Sequence, residues 1–259
     1  MRKLERFVLF ALMLGVTASL APAITVGYYT MFNNDTTTPE TPILANGFTP
    51  VHIMDLSTFD FSTVDIFFVN NSFNSAVDAA YLARQPDITA YVSSGGKIVI
   101  HDRYVVNKAI IPGGAGVTLV RDFSVDTDLE VVTSGNLVIN GPFGTITNAT
   151  LDGGTSSNHG WAVGATLPAG STVYLSAGAD PNRAAAFSFL LGDGLVYYSS
   201  IPLDYYLDGF GPDAVRANMV DIYAPNVLAY AASIPEPGAF VLIGSGLLLV
   251  TLAHRRRKS

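Results

Sequence analysis

The chain predicts an α/β fold: a mostly parallel, doubly wound sheet with a β-rich second half. Three observations carry this. Early runs such as Val64-Asp65-Ile66-Phe67-Phe68-Val69 and Lys97-Ile98-Val99-Ile100 are largely apolar on both faces, as strands covered from both sides are. Helical patterns with Ala-rich or Pro-led starts separate these runs. From Val117 onward, short strand patterns follow one another, punctuated by Gly, Asn, Asp and Pro.

The first element is a leader. Arg2, Lys3 and Arg6 form a basic start, residues 7–16 are apolar, and Ala21-Pro22-Ala23 gives an A-x-A cleavage pattern. Residues 1–23 are therefore expected to be a secretory signal peptide, with Ala21 and Ala23 flanking the cut.

The body, residues 24–232, is expected to be one exported domain. Its first strand is Ile24 to Tyr29, and a short helix is placed over residues 39–45. The second strand is Val51 to Met54, and the third is Val64 to Val69, ending in Asn70-Asn71. Ala76 to Ala83 is helical. Pro86 can open a second helix that Ser93-Ser94-Gly95-Gly96 closes. The fourth strand, Lys97 to Ile100, follows at once. Later strands are Val117 to Val120, Phe123 to Val132, Leu137 to Ile139, Thr172 to Leu175, Ala185 to Leu190 and Leu195 to Tyr198. Leu191-Gly192-Asp193-Gly194 reads as a hairpin turn. Asp213 to Tyr223 and Pro225 to Tyr230 are helical.

Residues 233–259 form a third unit. Pro235-Glu236-Pro237 precedes 15 uncharged residues, Ala239 to Ala253, and then the basic run Arg255-Arg256-Arg257-Lys258. The uncharged stretch would span about 22 Å as a helix, against a hydrocarbon core of about 30 Å. A transmembrane helix with a cytoplasmic basic anchor is expected, the body lying on the other side. Motif, short apolar stretch and arginine cluster in this order resemble the PEP-CTERM sorting signal of Gram-negative bacteria. The resemblance implies processing by an exosortase-like enzyme near Pro235-Glu236-Pro237. It also implies a transient stay in the inner membrane with the body on the periplasmic side. The body would then move to the cell envelope or the extracellular matrix, as a secreted exosortase substrate.

Composition excludes several functions. Seven of the 14 Lys and Arg lie in the two ends, so the body holds 7 bases against 19 of the 21 acids, a formal charge of −12. Such a body repels phosphate backbones, so no nucleic-acid partner is expected. With no cysteine there is no disulfide, thiolate metal site or thiol nucleophile.

The element order also resembles the class I glutamine amidotransferase-like superfamily and its ThuA-like branch. The features are the opening strand, the strand ending at Asn70, the helix closed by Gly95-Gly96, the strand running to His101, and the late strand at Tyr197 before a terminal helix. The flavodoxin-like sheet is what this resemblance implies. Where the amidotransferases carry their catalytic cysteine, this chain has His101-Asp102-Arg103. The partner histidine is missing after the late strand, where Ser199 to Asp204 stands.

His101 and Asp102 are the best catalytic candidates, with Thr30, Asn70 and Asn71 lining the same crevice at the strand ends. His101 could be a general base oriented by a carboxylate; equally, the two could cap a helix and tie down loops. His159 and Trp161, in a glycine-rich loop, offer an aromatic platform for sugar or a buried pin for the loop. Ser93, His101 and Asp126 could be drawn as a triad, but no Gly-x-Ser-x-Gly elbow supports it. Asp122, Asp126, Asp128 and Glu130 could meet Ca²⁺ or form a solvated strand face; the latter explains their alternation, and no metal site is expected. No cofactor is expected. The reading is an exported, noncatalytic envelope or matrix protein with polysaccharide as its candidate ligand. The alternative is an exported ThuA-like hydrolase using His101.

Overall fold

A computed structural model describes residues 23–122, 128–153 and 157–235. In chain order the elements are β1 (Thr25–Met31), α1 (Glu40–Ala45), β2 (Thr49–His52), β3 (Ile66–Asn71), α2 (Ala79–Ala83), α3 (Gln85–Ser93) and β4 (Lys97–Asp102). Short strands follow: β5 (Leu119–Arg121), β6 (Leu129–Val131), β7 (Asn140–Gly141), β8 (Gly144–Thr145) and β9 (Gly160–Val163). The rest comprises β10 (Thr172–Ala177), β11 (Arg183–Leu191), β12 (Gly194–Ser199), α4 (Leu203–Leu207), α5 (Asp213–Ala217), a π-helical turn over Asn218–Tyr223, and α6 (Ala224–Ser233).

One ten-stranded sheet organises the described residues, in the order β2-β1-β3-β4-β12-β11-β10-β6, with β9 on β11 and β5 on β9. The five strands from β2 to β12 run parallel. Every other pairing in the sheet is antiparallel. This corrects the expected mostly parallel, doubly wound, flavodoxin-like sheet: the sheet is mixed, and its described helices are few and short. The reason lies in the connections. A parallel neighbour needs a crossover of a dozen or more residues. Only residues 178–182 join β10 to β11, and only Gly192 and Asp193 join β11 to β12, so these strands must reverse.

The strands alternate between two cores, as period-two geometry requires. On the first face, Val26, Tyr28, Ile66, Phe68, Val99, Leu195 and Tyr197 pack with residues of α1, α4, α5 and α6. On the second, Met31, Phe67, Val69, Ile98, Ile100, Val196 and Tyr198 pack with Tyr81 of α2 and with Ile88 and Val92 of α3. Each large apolar side chain so buried contributes roughly 1.5–3 kcal/mol. At α6, Pro225 has no N–H to offer the carbonyl of Asp221, one turn back, and its ring crowds that oxygen. The wider π turn just before it relieves this and directs Tyr223 onto the sheet.

Among the described residues no helix is long and apolar enough to cross a membrane. The longest α-helical element, α6, has 10 residues; α5, the π turn and α6 follow one another without a break over residues 213–233, but this run carries Asp213, Arg216 and Asp221. The transmembrane helix, and the inner-membrane and periplasmic placement built on it, are withdrawn accordingly. The leader with Ala21, the motif residues Glu236 and Pro237, the stretch from Ala239 to Ala253, and Arg255, Arg256, Arg257 and Lys258 lie outside the described residues.

Candidate functional site

Four parallel strands bring polar residues level at their C-terminal ends. The register pairs Thr30 with Asn70, Asn70 with His101, and His101 with Ser199. Residues paired across parallel strands face the same way, so these four form one row on the first face. All four are buried. Thr30 Oγ1, both polar atoms of the Asn70 amide and His101 Nδ1 have no hydrogen-bond partner. Each unpaired buried polar atom costs about 1–3 kcal/mol, so a cluster on three adjacent residues calls for an explanation other than stability.

His101 is held by aromatic neighbours. Its Nε2 lies 3.2 Å from the hydroxyl of Tyr223, which lies 3.1 Å from that of Tyr197. Phe68 and Tyr223 meet its ring edge to face. Burial pushes its pKa down to about 3, so the imidazole stays neutral near pH 7.

Asp102 turns the other way. The strand continues two residues past its expected end at Ile100, so His101 and Asp102 alternate onto opposite faces. Asp102 accepts four hydrogen bonds: from Asn71 Nδ2 (2.9 Å), Tyr104 N–H (2.9 Å), Val105 N–H (3.0 Å) and the Tyr198 hydroxyl (3.0 Å). Its burial raises its pKa, and those bonds oppose the rise. It ties down the turn after β4 and does not orient His101. Thr30, Asn70 and His101 therefore share one row, while Asn71 joins Asp102 on the far side and also donates to the carbonyl of Ala76.

Arg103 and Asp204 complete the crest, joined at 2.9 Å. Burial raises the pKa of Asp204 to about 7, against the opposing pull of Arg103. Asp204 lies in α4, which rests on the ends of β3 and β4. The guanidinium of Arg103 also lies 5.4 Å from the ring centre of Tyr205.

Beside the row is an open groove of about 490 Å³ between the loop after β1 and the end of α4. Asn33, Asp35, Thr36 and Thr38 form one wall and Asp208 the other; Thr38 Oγ1 donates to Asp208 Oδ1 at 3.0 Å. Asn33 N–H bonds the carbonyl of Thr30, so groove and row are neighbours.

The remaining candidates stand apart. His159 is buried, its Nδ1 3.0 Å from the carbonyl of Arg103, and burial lowers its pKa to about 4. Trp161 lies in β9, which pairs with β5 and β11, and the Arg183 guanidinium stacks 4.7 Å from its ring. One face of the indole is thus occupied. Ser93 ends α3 near the N-terminal end of β4, and His101 lies at the other end of that strand, so the drawn triad does not form; Asp126 lies outside the described residues. Asp122 gives its N–H to the carbonyl of His159. Among the described residues no group of three His, Cys, Asp or Glu gathers to hold a metal. The sequence reading missed Ser199, Tyr223 and Asp204. Ser199 could have been found by aligning strand ends; Tyr223 depends on the π turn and carries no local signal.

No family model and no curated protein matches the chain. Several solved structures resemble it remotely. A β-galactosidase from Rahnella sp. R3 is 14% identical over 83% of this chain and 32% of its own, with a TM-score of 0.44. An exo-β-1,4-mannosidase from Opitutaceae bacterium strain TAV5 is 11% identical over 90% of this chain and 40% of its own, with a TM-score of 0.45. A cytoplasmic protein from Salmonella typhimurium LT2 is 10% identical over 80% of this chain and 99% of its own, with a TM-score of 0.48. The chain spans about a third of the β-galactosidase and two fifths of the mannosidase. Likeness this remote establishes neither family nor activity.

Proposed function

We propose that the chain is an exported envelope or extracellular-matrix protein whose folded body is a noncatalytic binding module for polysaccharide. In this reading an exosortase-like enzyme processes it at Pro235-Glu236-Pro237. The observation that supports a noncatalytic body is the divergence of His101 and Asp102. General-base catalysis needs a histidine oriented by a partner and within reach of a proton. Here the carboxylate faces away with its bonds taken, and the imidazole is buried against tyrosines. The chain has no thiol, so the nucleophile of an amidotransferase is absent as well.

Two measurements test this. Purified wild-type protein and His101→Ala are assayed on ester, amide and glycoside substrates. No turnover by either is expected; hydrolysis by wild type that is lost in His101→Ala would overturn the reading in favour of a hydrolase. Separately, Pro235, Glu236 and Pro237 are all replaced by alanine in the exporting host. Export should continue and C-terminal processing should stop. Processing at the wild-type rate would sink the sorting half of the proposal.

A further inference from the structure

We propose that the groove beside the strand ends is the saccharide site, binding an uncharged, hydroxyl-rich chain beside two aromatic pairs that present the exposed rings of Phe32, Phe73 and Phe210. The inference rests on the reading of the body as a binding module and gives that module a place and a chemistry.

The first pair is Phe32 and Phe73, 50% and 45% exposed, with ring centres 4.8 Å apart. Phe32 directly precedes Asn33 of the groove wall. It holds φ at +63°, a left-handed conformation that a bulky residue seldom adopts. The chain thus accepts backbone strain while leaving a large apolar ring in water. Neither the strain nor the exposure serves folding.

The second pair is Tyr205 and Phe210, with ring centres 5.3 Å apart and planes within 22°. Phe210 is 57% exposed and directly follows Gly209 of the opposite wall. Gly209 and Gly211 both have left-handed φ, +88° and +86°, so the chain turns on either side of Phe210 and holds it out. Arg103 stacks on Tyr205, linking this pair to the crest.

Beside the pairs the groove offers an amide, two hydroxyls and two carboxylates, from Asn33, Thr36, Thr38, Asp35 and Asp208. Amides, hydroxyls and carboxylates bond sugar hydroxyls well, and aromatic faces pack on the C–H faces of pyranose rings. The two carboxylates, in a body of formal charge −12 and with no lysine or arginine in the groove wall, select against polyuronides and other anionic chains. The volume falls within the roughly 300–1,000 Å³ of small-ligand sites, enough for a short oligosaccharide segment.

The test uses the purified full chain in affinity gel electrophoresis and calorimetry. The probes are neutral glucan, mannan and galactan oligosaccharides, with polygalacturonate as the anionic control. Wild type should bind at least one neutral probe and ignore the polyuronide. Phe32→Ala and Phe210→Ala should each weaken binding about tenfold or more, the scale of a lost aromatic contact. Asp208→Asn keeps the shape of the wall and should weaken binding too, with an unchanged melting temperature to show that the fold is intact. Binding of a neutral probe that all three variants retain would overturn this site and leave the binding module standing. Binding of polyuronide alone, or of no probe, would overturn the proposed chemistry. Hydrolysis of a probe would sink the noncatalytic reading, and hydrolysis that all three variants retain would overturn the groove as well.

Discussion

Two neighbouring residues at the end of β4 show how differently buried polar groups behave. Asp102 is saturated by four donors, two from the backbone and two from side chains. His101 keeps one bond, to Tyr223, and an unpaired Nδ1. Asp102→Asn would turn an acceptor atom into an NH₂ facing donors and leave at least one of them unpaired; a loss of about 2–4 kcal/mol is expected in urea unfolding. His101→Leu is close in volume and removes an orphan atom, while Tyr223 keeps its bond to Tyr197. Its cost at pH 7 should stay below about 1.5 kcal/mol. The two variants should also separate with pH. The folded pKa of His101 is depressed to about 3 from 6.5, so below pH 6.5 the unfolded chain binds a proton that the folded chain refuses. Stability from this group is complete above pH 6.5 and falls as the pH drops toward 3. His101→Leu lacks that loss, so relative to wild type it should gain about 2 kcal/mol between pH 6.5 and pH 5. A difference independent of pH would show that His101 is not buried and neutral.

At the scale of elements, the parallel strands were legible because burial on both faces leaves continuous apolar runs. Ile66–Asn71 and Lys97–Asp102 fall within two residues of their expected bounds. Those two residues mattered most: with β4 extended to Asp102, period-two geometry turns an expected catalytic pair into residues on opposite faces. Gly160 to Val163 reads as loop because a glycine leads it and only four residues pair; tertiary pairing with β5 and β11 makes it a strand. Leu137 to Ile139 fails as a strand because Asn136 captures the N–H groups of Val138 and Ile139, a local turn that competes with any ladder. The hairpin at Gly192 was readable from its glycines, and its tolerance can be tested. Gly192 has φ +61°, and a methyl group there would sit 2.4 Å from the carbonyl oxygen of Ser93. Gly192→Ala should cost about 2 kcal/mol or more, seen as a lowered melting temperature. A variant as stable as wild type would mean that β12 and α3 are not packed this closely.

At the scale of the molecule, the sheet joins a parallel half to an antiparallel half without a break in pairing, and both cores run under β12 and β11. Calorimetry should therefore show one cooperative transition, with calorimetric and van't Hoff enthalpies equal. Two resolved transitions would divide the body where the sequence changes character, near Val117. The central strand pair also sets the order of assembly. β12 lies between β4 and β11, yet it is the last strand among the described residues. Closing the roughly 90 residues from Asp102 to Gly194 costs about 4 kcal/mol in chain entropy before β4 gains its second partner. On a growing polypeptide, β1 to β4 can pair early, but the inner edge of β4 stays open until residue 199 has been made. The nascent chain thus carries an unsatisfied strand edge while residues 103–199 are added, so an early parallel half waits with one side open for a partner made about a hundred residues later.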